Sequence, residues 1–162
     1  MLTFKFDHLQ LRVAQPADEV FLKTLYASTR DDLLTTAPSD MYHLLIDLQW
    51  RAQRGAYQQS FPLADNLIVE DGDGPLGRLL VDRSLAPWRI VDIALLPRAR
   101  GQGHGGTVLR ALQQQAVGEG VGLALRVRID NPRAHKLYAA LGFMAAGGDE
   151  VSRQMEWRYP PA

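Results

Sequence analysis

Leu96-Pro97-Arg98-Ala99-Arg100-Gly101-Gln102-Gly103-His104-Gly105-Gly106-Thr107-Val108-Leu109 is the stretch whose reading decides the fold. The apolar run before it, Val91-Asp92-Ile93-Ala94-Leu95, reads as a buried strand. The residues after it have helical spacing, with Val108, Leu109, Leu112 and Ala116 on one face. Four glycines within residues 101–106 carry an entropic cost too large for filler. They let the backbone turn sharply and leave no side chain between the main-chain N–H groups and a ligand. At a helix N-terminus those N–H groups are unpaired and lie at the positive end of the helix dipole. The physical expectation is an anion cradle for a phosphate or pyrophosphate.

Three ligand classes use such a cradle. A nucleoside-triphosphatase loop requires a Gly-Lys-Ser/Thr ending, and no lysine stands here. Gly101-x-Gly103-x-x-Gly106 does match the dinucleotide fingerprint, with Asp130 where a ribose-binding acid would fall, which keeps a dinucleotide-binding oxidoreductase as one alternative. Against it, only 32 residues follow Asp130, whereas a dinucleotide fold opens its sheet with this unit and adds strands afterwards. Arg100-x-x-Gly103-x-Gly105 has the form Arg/Gln-x-x-Gly-x-Gly/Ala, and a second segment runs Asn131-Pro132-Arg133-Ala134-His135-Lys136-Leu137-Tyr138-Ala139-Ala140-Leu141-Gly142-Phe143. The first resembles the coenzyme A pyrophosphate loop of the GNAT superfamily of N-acetyltransferases. The second resembles that family's Asn-x-x-Ala-x-x-Leu-Tyr-x-x-Leu-Gly-Phe signature.

Composition narrows the rest. A chain of 162 residues with 46% hydrophobic and 22% charged residues suits one domain, 1–162. The absence of cysteine excludes disulfides, thiolate metal sites and a cysteine nucleophile. His8, His43, His104 and His135 have no metal-ligand spacing, so no metal is expected. No Gly-x-Ser-x-Gly elbow occurs. The N-terminal residues carry no signal pattern and no segment approaches a membrane span, so a cytoplasmic location without membrane contact is expected. Net charge is zero but uneven: residues 97–138 hold seven Lys/Arg against two acids, which suits a polyanionic cofactor there and a cationic amine elsewhere. Arg110 and Arg126 are expected to solvate element faces. Without a basic run, nucleic acid is not an expected partner.

Along the chain, residues 9–13 alternate as a strand, and Pro16-Ala17-Asp18 opens a helix to about residue 29. A short helical piece is allowed near residues 31–35. Ser39-Asp40 caps a second helix to about residue 57, expected to turn Leu44, Leu45, Leu48 and Ala52 inward. Residues 66–70 and 76–81 form a hairpin about Asp71-Gly72-Asp73-Gly74. Strands over 88–95 and 123–129 flank the glycine-loop helix, and a helical crossover makes them parallel. Asn131 caps the last helix, Pro132 sits in its first turn and Gly142 ends it, before a closing hairpin over 143–146 and 151–159. The order β-α-α-β-β-β-α-β-α-β-β is the order of the GNAT family. The expected fold is therefore α/β (α+β): a single GNAT-like domain with a mixed central sheet of about seven strands and helices on both faces.

The resemblance implies an acyltransferase that moves an acetyl group from acetyl-CoA, as co-substrate, to a primary amine by direct attack. A non-catalytic acetyl-CoA-binding module on the same fold is a second alternative. The two central parallel strands would splay, with the main chain near Ile93 and Leu95 pairing with the pantetheine arm. The backbone of Gly101, Gln102, Gly103, His104, Gly105 and Gly106 would hold the pyrophosphate, with Arg100 beside it and Asn131 reaching the arm. His104 would face solvent, its backbone mattering more than its ring. Tyr138 matches the family's thiolate-protonating tyrosine. The base is open: the family often carries an acid or histidine at positions matching Arg89 or Val91, and this chain does not. Asp92 is the candidate and Glu70 the other. Strict alternation puts Asp92 on the face opposite Arg89, unless a bulge intervenes. The acceptor, a small-molecule or peptide amine, would be selected by residues 26–40, including Arg30, Asp31 and Asp32, and by residues 147–153. The resemblance also allows a homodimer.

Overall fold

The computed structural model describes residues 4–160. One sheet carries eight strands: β1 (Phe4–Phe6), β2 (Leu9–Val13), β3 (Asp65–Asp71), β4 (Gly74–Asp82), β5 (Trp88–Leu95), β6 (Leu123–Arg128), β7 (Met144–Gly148) and β8 (Ser152–Trp157). Their spatial order is β1-β2-β3-β4-β5-β6-β8-β7. Every neighbouring pair is antiparallel except β5 and β6. The strand beyond the expected seven is β1, which pairs with β2 across a turn at Asp7.

Five helices pack on this sheet: α1 (Glu19–Ser28), α2 (Asp31–Thr36), α3 (Ser39–Ser60), α4 (His104–Glu119) and α5 (Pro132–Ala140). One sheet face presents Leu11, Leu67, Val69, Leu79 and Val81 to Val108, Leu109 and Leu112 of α4, all fully buried. At roughly 1.5–3 kcal/mol per fully buried aliphatic side chain, this layer holds α4 on the sheet. The other face carries Ile68 and Leu80, where Leu25 of α1 and Ile46 and Trp50 of α3 are buried.

The inner side of α3 is not the one expected. Leu44 and Leu48 are about half exposed and Ala52 is exposed, Leu45 is partly buried, and Ile46 and Trp50 are the buried residues. The helix has apolar residues on two sides, so periodicity alone does not choose between them. The larger surface of Trp50 and the 2.6 Å bond from Lys23 Nζ to Asp47 Oδ1 set the rotation. Its start differs too: Pro38 is the N-cap residue, its carbonyl accepts from Met41 and Tyr42, and no side chain caps the helix.

Two irregularities position the site. First, β5 and β6 pair only over Trp88–Ile90 and Leu123–Leu125. Beyond that point β6 continues against β8 and β5 against β4, so the parallel pair opens into a gap. Second, β5 has a bulge: Val81 pairs with Ile90 and Leu80 with Asp92, leaving Val91 as the extra residue. One extra residue inverts the alternation beyond it. Asp92 therefore shares a face with Arg89, contrary to unbroken alternation, and stands on the α1/α3 side of the sheet.

Candidate active site

The gap opens into a cavity of about 500 Å³. Its walls come from α1, the middle of α3, Arg78 of β4, the end of β5, the glycine loop and α5 with its N-cap. Asp92, Ile93, Leu95, Arg100, Gly101, Gly103, His104, Gly105, Gly106, Asn131 and Tyr138 all line it, so residues far apart in sequence converge there. Gln102 does not: its side-chain amide donates to the Arg98 carbonyl at 2.7 Å, outside the cavity. Glu70 also lies elsewhere, held by Arg12 at 2.9 Å, and it is not a candidate base at this site.

The loop reaches the helix through two glycines in the left-handed region, Gly101 (φ 74°) and Gly103 (φ 83°), the latter being the N-cap of α4. Side-chain-bearing residues adopt this geometry only at a cost. The amides of His104, Gly105 and Gly106 then have no intrahelical acceptor. A Cβ added at Gly103 would meet nothing within 4 Å, and one at Gly105 would stand 3.6 Å from Leu137 Cδ2. An open wall of amides at a helix N-terminus, bordered by cations, fits a diphosphate. Arg133, at the start of α5, supplies one such cation, with its Nη2 3.5 Å from where a Gly101 Cβ would be. Arg133 was legible only as part of the local positive charge.

Arg100 is anchored, its Nε donating to the Leu95 carbonyl at 2.9 Å. That carbonyl belongs to the main chain near Ile93 and Leu95 expected to pair with a pantetheine arm, and the bond ties the strand end to the loop. Asn131 acts as an N-cap, its Oδ1 accepting from the Ala134 amide at 3.2 Å, while the residue still borders the cavity. His104 departs from the expectation of a solvent-facing ring. It is only 9% exposed, with its ring centroid 5.2 Å from that of His8, because the first turn of α4 tucks it towards the β1–β2 turn.

Tyr138 is 8% exposed, with its ring centroid 5.8 Å from that of Phe143. Burial, and secondarily the negative charge of Asp92, push its hydroxyl up to about 12. Asp92 Oδ2 accepts from Arg78 Nη2 at 2.5 Å. Its Oδ1 has no hydrogen-bond partner among the described residues. Burial, followed by the charge of Asp92, likewise pushes the Tyr57 hydroxyl up to about 12. Sequence reading missed Arg78, Trp50 and Gln53 as site residues. They come from β4 and α3 and carry no local motif. Of the expected acceptor-selecting segments, Tyr26 and Thr29 reach the cavity and residues 147–153 do not. Arg30 is taken up by Asp32 and Tyr26. Asp130, the acid of the dinucleotide reading, is exposed, gripped by Arg128 at 2.9 and 3.0 Å, and lies outside the cavity. Among the described residues, no cluster of His, Asp and Glu could hold a metal ion, and no helix is long and apolar enough to cross a membrane.

Fold and site define a single-sheet α/β protein that opens between its two parallel strands, with a glycine-rich helix start at the opening. The family model described as acetyltransferase (GNAT) family matches residues 22–143, and the chain belongs to that family. This membership sets the dinucleotide reading aside. No curated protein matches by sequence. Among solved structures, the chain is similar to the PaiA N-acetyltransferase from Thermoplasma acidophilum in complex with coenzyme A. The TM-score is 0.72 at 16% identity, over 93% of this chain and 99% of that one. A ribosomal-protein-S5-alanine acetyltransferase from Vibrio fischeri gives 0.66 at 17% identity, over 99% and 98%. A spermidine N-acetyltransferase from Vibrio cholerae, solved with CoA and spermine, gives 0.64 at 20% identity, over 93% and 95%. At these identities the likeness is one of fold.

Proposed function

We propose that this protein is an N-acetyltransferase that moves an acetyl group from acetyl-CoA to a primary amine by direct attack. The observation carrying this reading is that Asp92 and Tyr138 line the same cavity as the glycine-rich start of α4. The amides of residues 103–106, with Arg100 and Arg133 nearby, would hold the diphosphate, and the end of β5 would run beside the pantetheine arm. Acetyl-CoA would supply an activated acyl group as a thioester.

The residues then have separable tasks. An alkylamine with pKa ~10 arrives as an ammonium. Asp92 attracts it, and the unpartnered Oδ1 takes one proton, directly or through one water. Arg78 holds the other carboxylate oxygen and so fixes which lone pairs face the amine. The nitrogen forms its bond to the acyl carbon as the carbon–sulfur bond breaks. Tyr138 stays protonated at neutral pH because it titrates near 12, and it donates to the departing sulfur. The second proton released at the nitrogen restores the phenol, and Asp92 passes its proton to solvent before the next turnover, which closes the proton count.

The test is a set of amines assayed for acetyl-CoA-dependent thiol release, alongside direct titration with coenzyme A. Saturable coenzyme A binding together with amine-dependent release is the expected result. Coenzyme A binding with no release for any amine would favour the non-catalytic module.

A further inference from the structure

A second cavity of about 460 Å³ lies beneath α3, between the loop entering α1, the later turns of α3, and strands β3 and β4. Trp50 and Arg78 line both cavities and so form the partition between them. Arg78 is also the residue that holds Asp92. An amine drawn to Asp92 therefore stands against the partition, with this second space behind it.

The chemistry of that space is selective. Its walls include Trp50, Tyr57 and Phe61. Each of these rings already faces a guanidinium: Arg54 at 5.0 Å from the Trp50 ring, Arg78 at 5.8 Å from Tyr57, and Arg89 at 5.7 Å from Phe61. Glu19 is the only carboxylate in the lining, and Arg54 occupies it at 2.8 Å. A second ammonium entering here would meet the guanidiniums of Arg54 and Arg78 in the lining, with Arg89 against Phe61, and no free acid, an arrangement that disfavours polycations. A flat uncharged group would instead find aromatic and aliphatic surface. Two buried side-chain atoms, Asn66 Oδ1 and Arg78 Nε, lack a hydrogen-bond partner, and both belong to residues of this lining. A donor on a ligand that reaches Asn66 would satisfy its Oδ1 without moving Arg78 off Asp92.

We propose that the second cavity receives the body of the acceptor, and that it selects a primary amine with one positive charge whose carbon skeleton ends in an aromatic group. An arylalkylamine and a peptide N-terminus with a neighbouring aromatic side chain share this chemistry. The inference rests on the acetyltransferase reading for the identity of the amine as acceptor, and it is tested separately from that reading.

The experiment uses the full chain and four amines: 4-fluorophenethylamine, propylamine, spermidine and the peptide Ala-Phe-Ala. Binding is followed by fluorine NMR for the first and by calorimetry for the others, with coenzyme A titrated independently. Turnover is followed by thiol release. The fluorinated amine is expected to exceed both propylamine and spermidine at least tenfold in kcat/KM. Ala64→Phe, which adds bulk in the second cavity, is expected to cut the ratio of 4-fluorophenethylamine to propylamine about tenfold. Ala64→Leu should give a smaller cut and serves if the larger variant does not fold. A higher kcat/KM for the peptide than for the fluorinated amine would identify a peptide source and still support the cavity. Preference for spermidine, an unchanged ratio in folded Ala64 variants, or no binding of the fluorinated amine would overturn the proposal. Binding of the fluorinated amine that is sensitive to Ala64, without coenzyme A binding, would instead sink the acetyltransferase reading and leave the cavity assignment standing.

Discussion

Arg78 and Asp92 meet across β4 and β5 at 2.5 Å because Val91 is an extra residue in its strand. Without that bulge the carboxylate would point to the α4 side, among Leu79, Val81 and Leu109. With it, Asp92 is three-quarters buried, lines the cavity and has one oxygen held by Arg78. The guanidinium is held in turn above the ring of Tyr57, which limits where the carboxylate can move.

Asp92→Asn keeps the shape and removes the acceptor of the ammonium proton. General-base contributions run to about 10²–10⁴-fold, so kcat is expected to fall within that range while the dissociation constant of coenzyme A stays within twofold. Steady-state kinetics with a parallel coenzyme A titration checks this. Unchanged kcat would remove Asp92 from the mechanism.

Tyr138→Phe is expected to lower kcat with little change in KM for acetyl-CoA. The hydroxyl titrates near 12 in the folded protein, so it stays a donor throughout the ordinary assay range. The wild-type kcat profile should therefore show no alkaline decline from this group below about pH 10. Stability follows the same shift. Tyr57 and Tyr138 are both raised, so the stability linked to their protonated forms is complete below pH ~10 and is lost as pH rises towards 12. Denaturant midpoints at pH 8, 10 and 11.5 measure that loss.

Asp18 behaves in the opposite sense. The Arg12 guanidinium, at 2.8 and 2.9 Å, and the Gln15 amide hold its carboxyl down at about 2, although burial opposes them. A depressed carboxyl contributes stability above its unfolded value of ~3.9, and that stability is lost as pH falls through about 2. The contribution is on the order of 2 kcal/mol. Asp18→Asn should lower the urea-derived stability at pH 7 by at least that amount, since it leaves Arg12 with Glu70 alone, and the deficit should shrink towards pH 2.

Two glycine substitutions should move stability in opposite directions. Gly103→Ala forces a Cβ into the left-handed region at the start of α4 and should cost about 1–2 kcal/mol. Gly55→Ala, in the interior of α3 with open space around its Cβ, should add about 0.4–1 kcal/mol. Thermal denaturation of both variants, with coenzyme A titrations on Gly103→Ala, separates loop geometry from a general loss of fold.

The residue order determined much of this protein by itself. The glycine pattern at residues 101–106, the apolar stripe of Val108, Leu109, Leu112 and Ala116, and the Asn131–Pro132 helix start are local signals, because turn sterics and helix ends depend on neighbouring residues. They placed α4, α5, the parallel pair and the glycine loop within a few positions. Tertiary structure alone decided which side of α3 faces inward, since Leu44 and Leu48 compete in sequence with Ile46 and Trp50 and only contact with α1 and the sheet resolves it. It alone decided that Asp92 points at Arg78, because a bulge is a mismatch in length between two strands and neither strand encodes it separately. The burial of His104 and the partition formed by Trp50 and Arg78 likewise depend on segments distant in the chain, whose contacts carry no periodicity in the sequence.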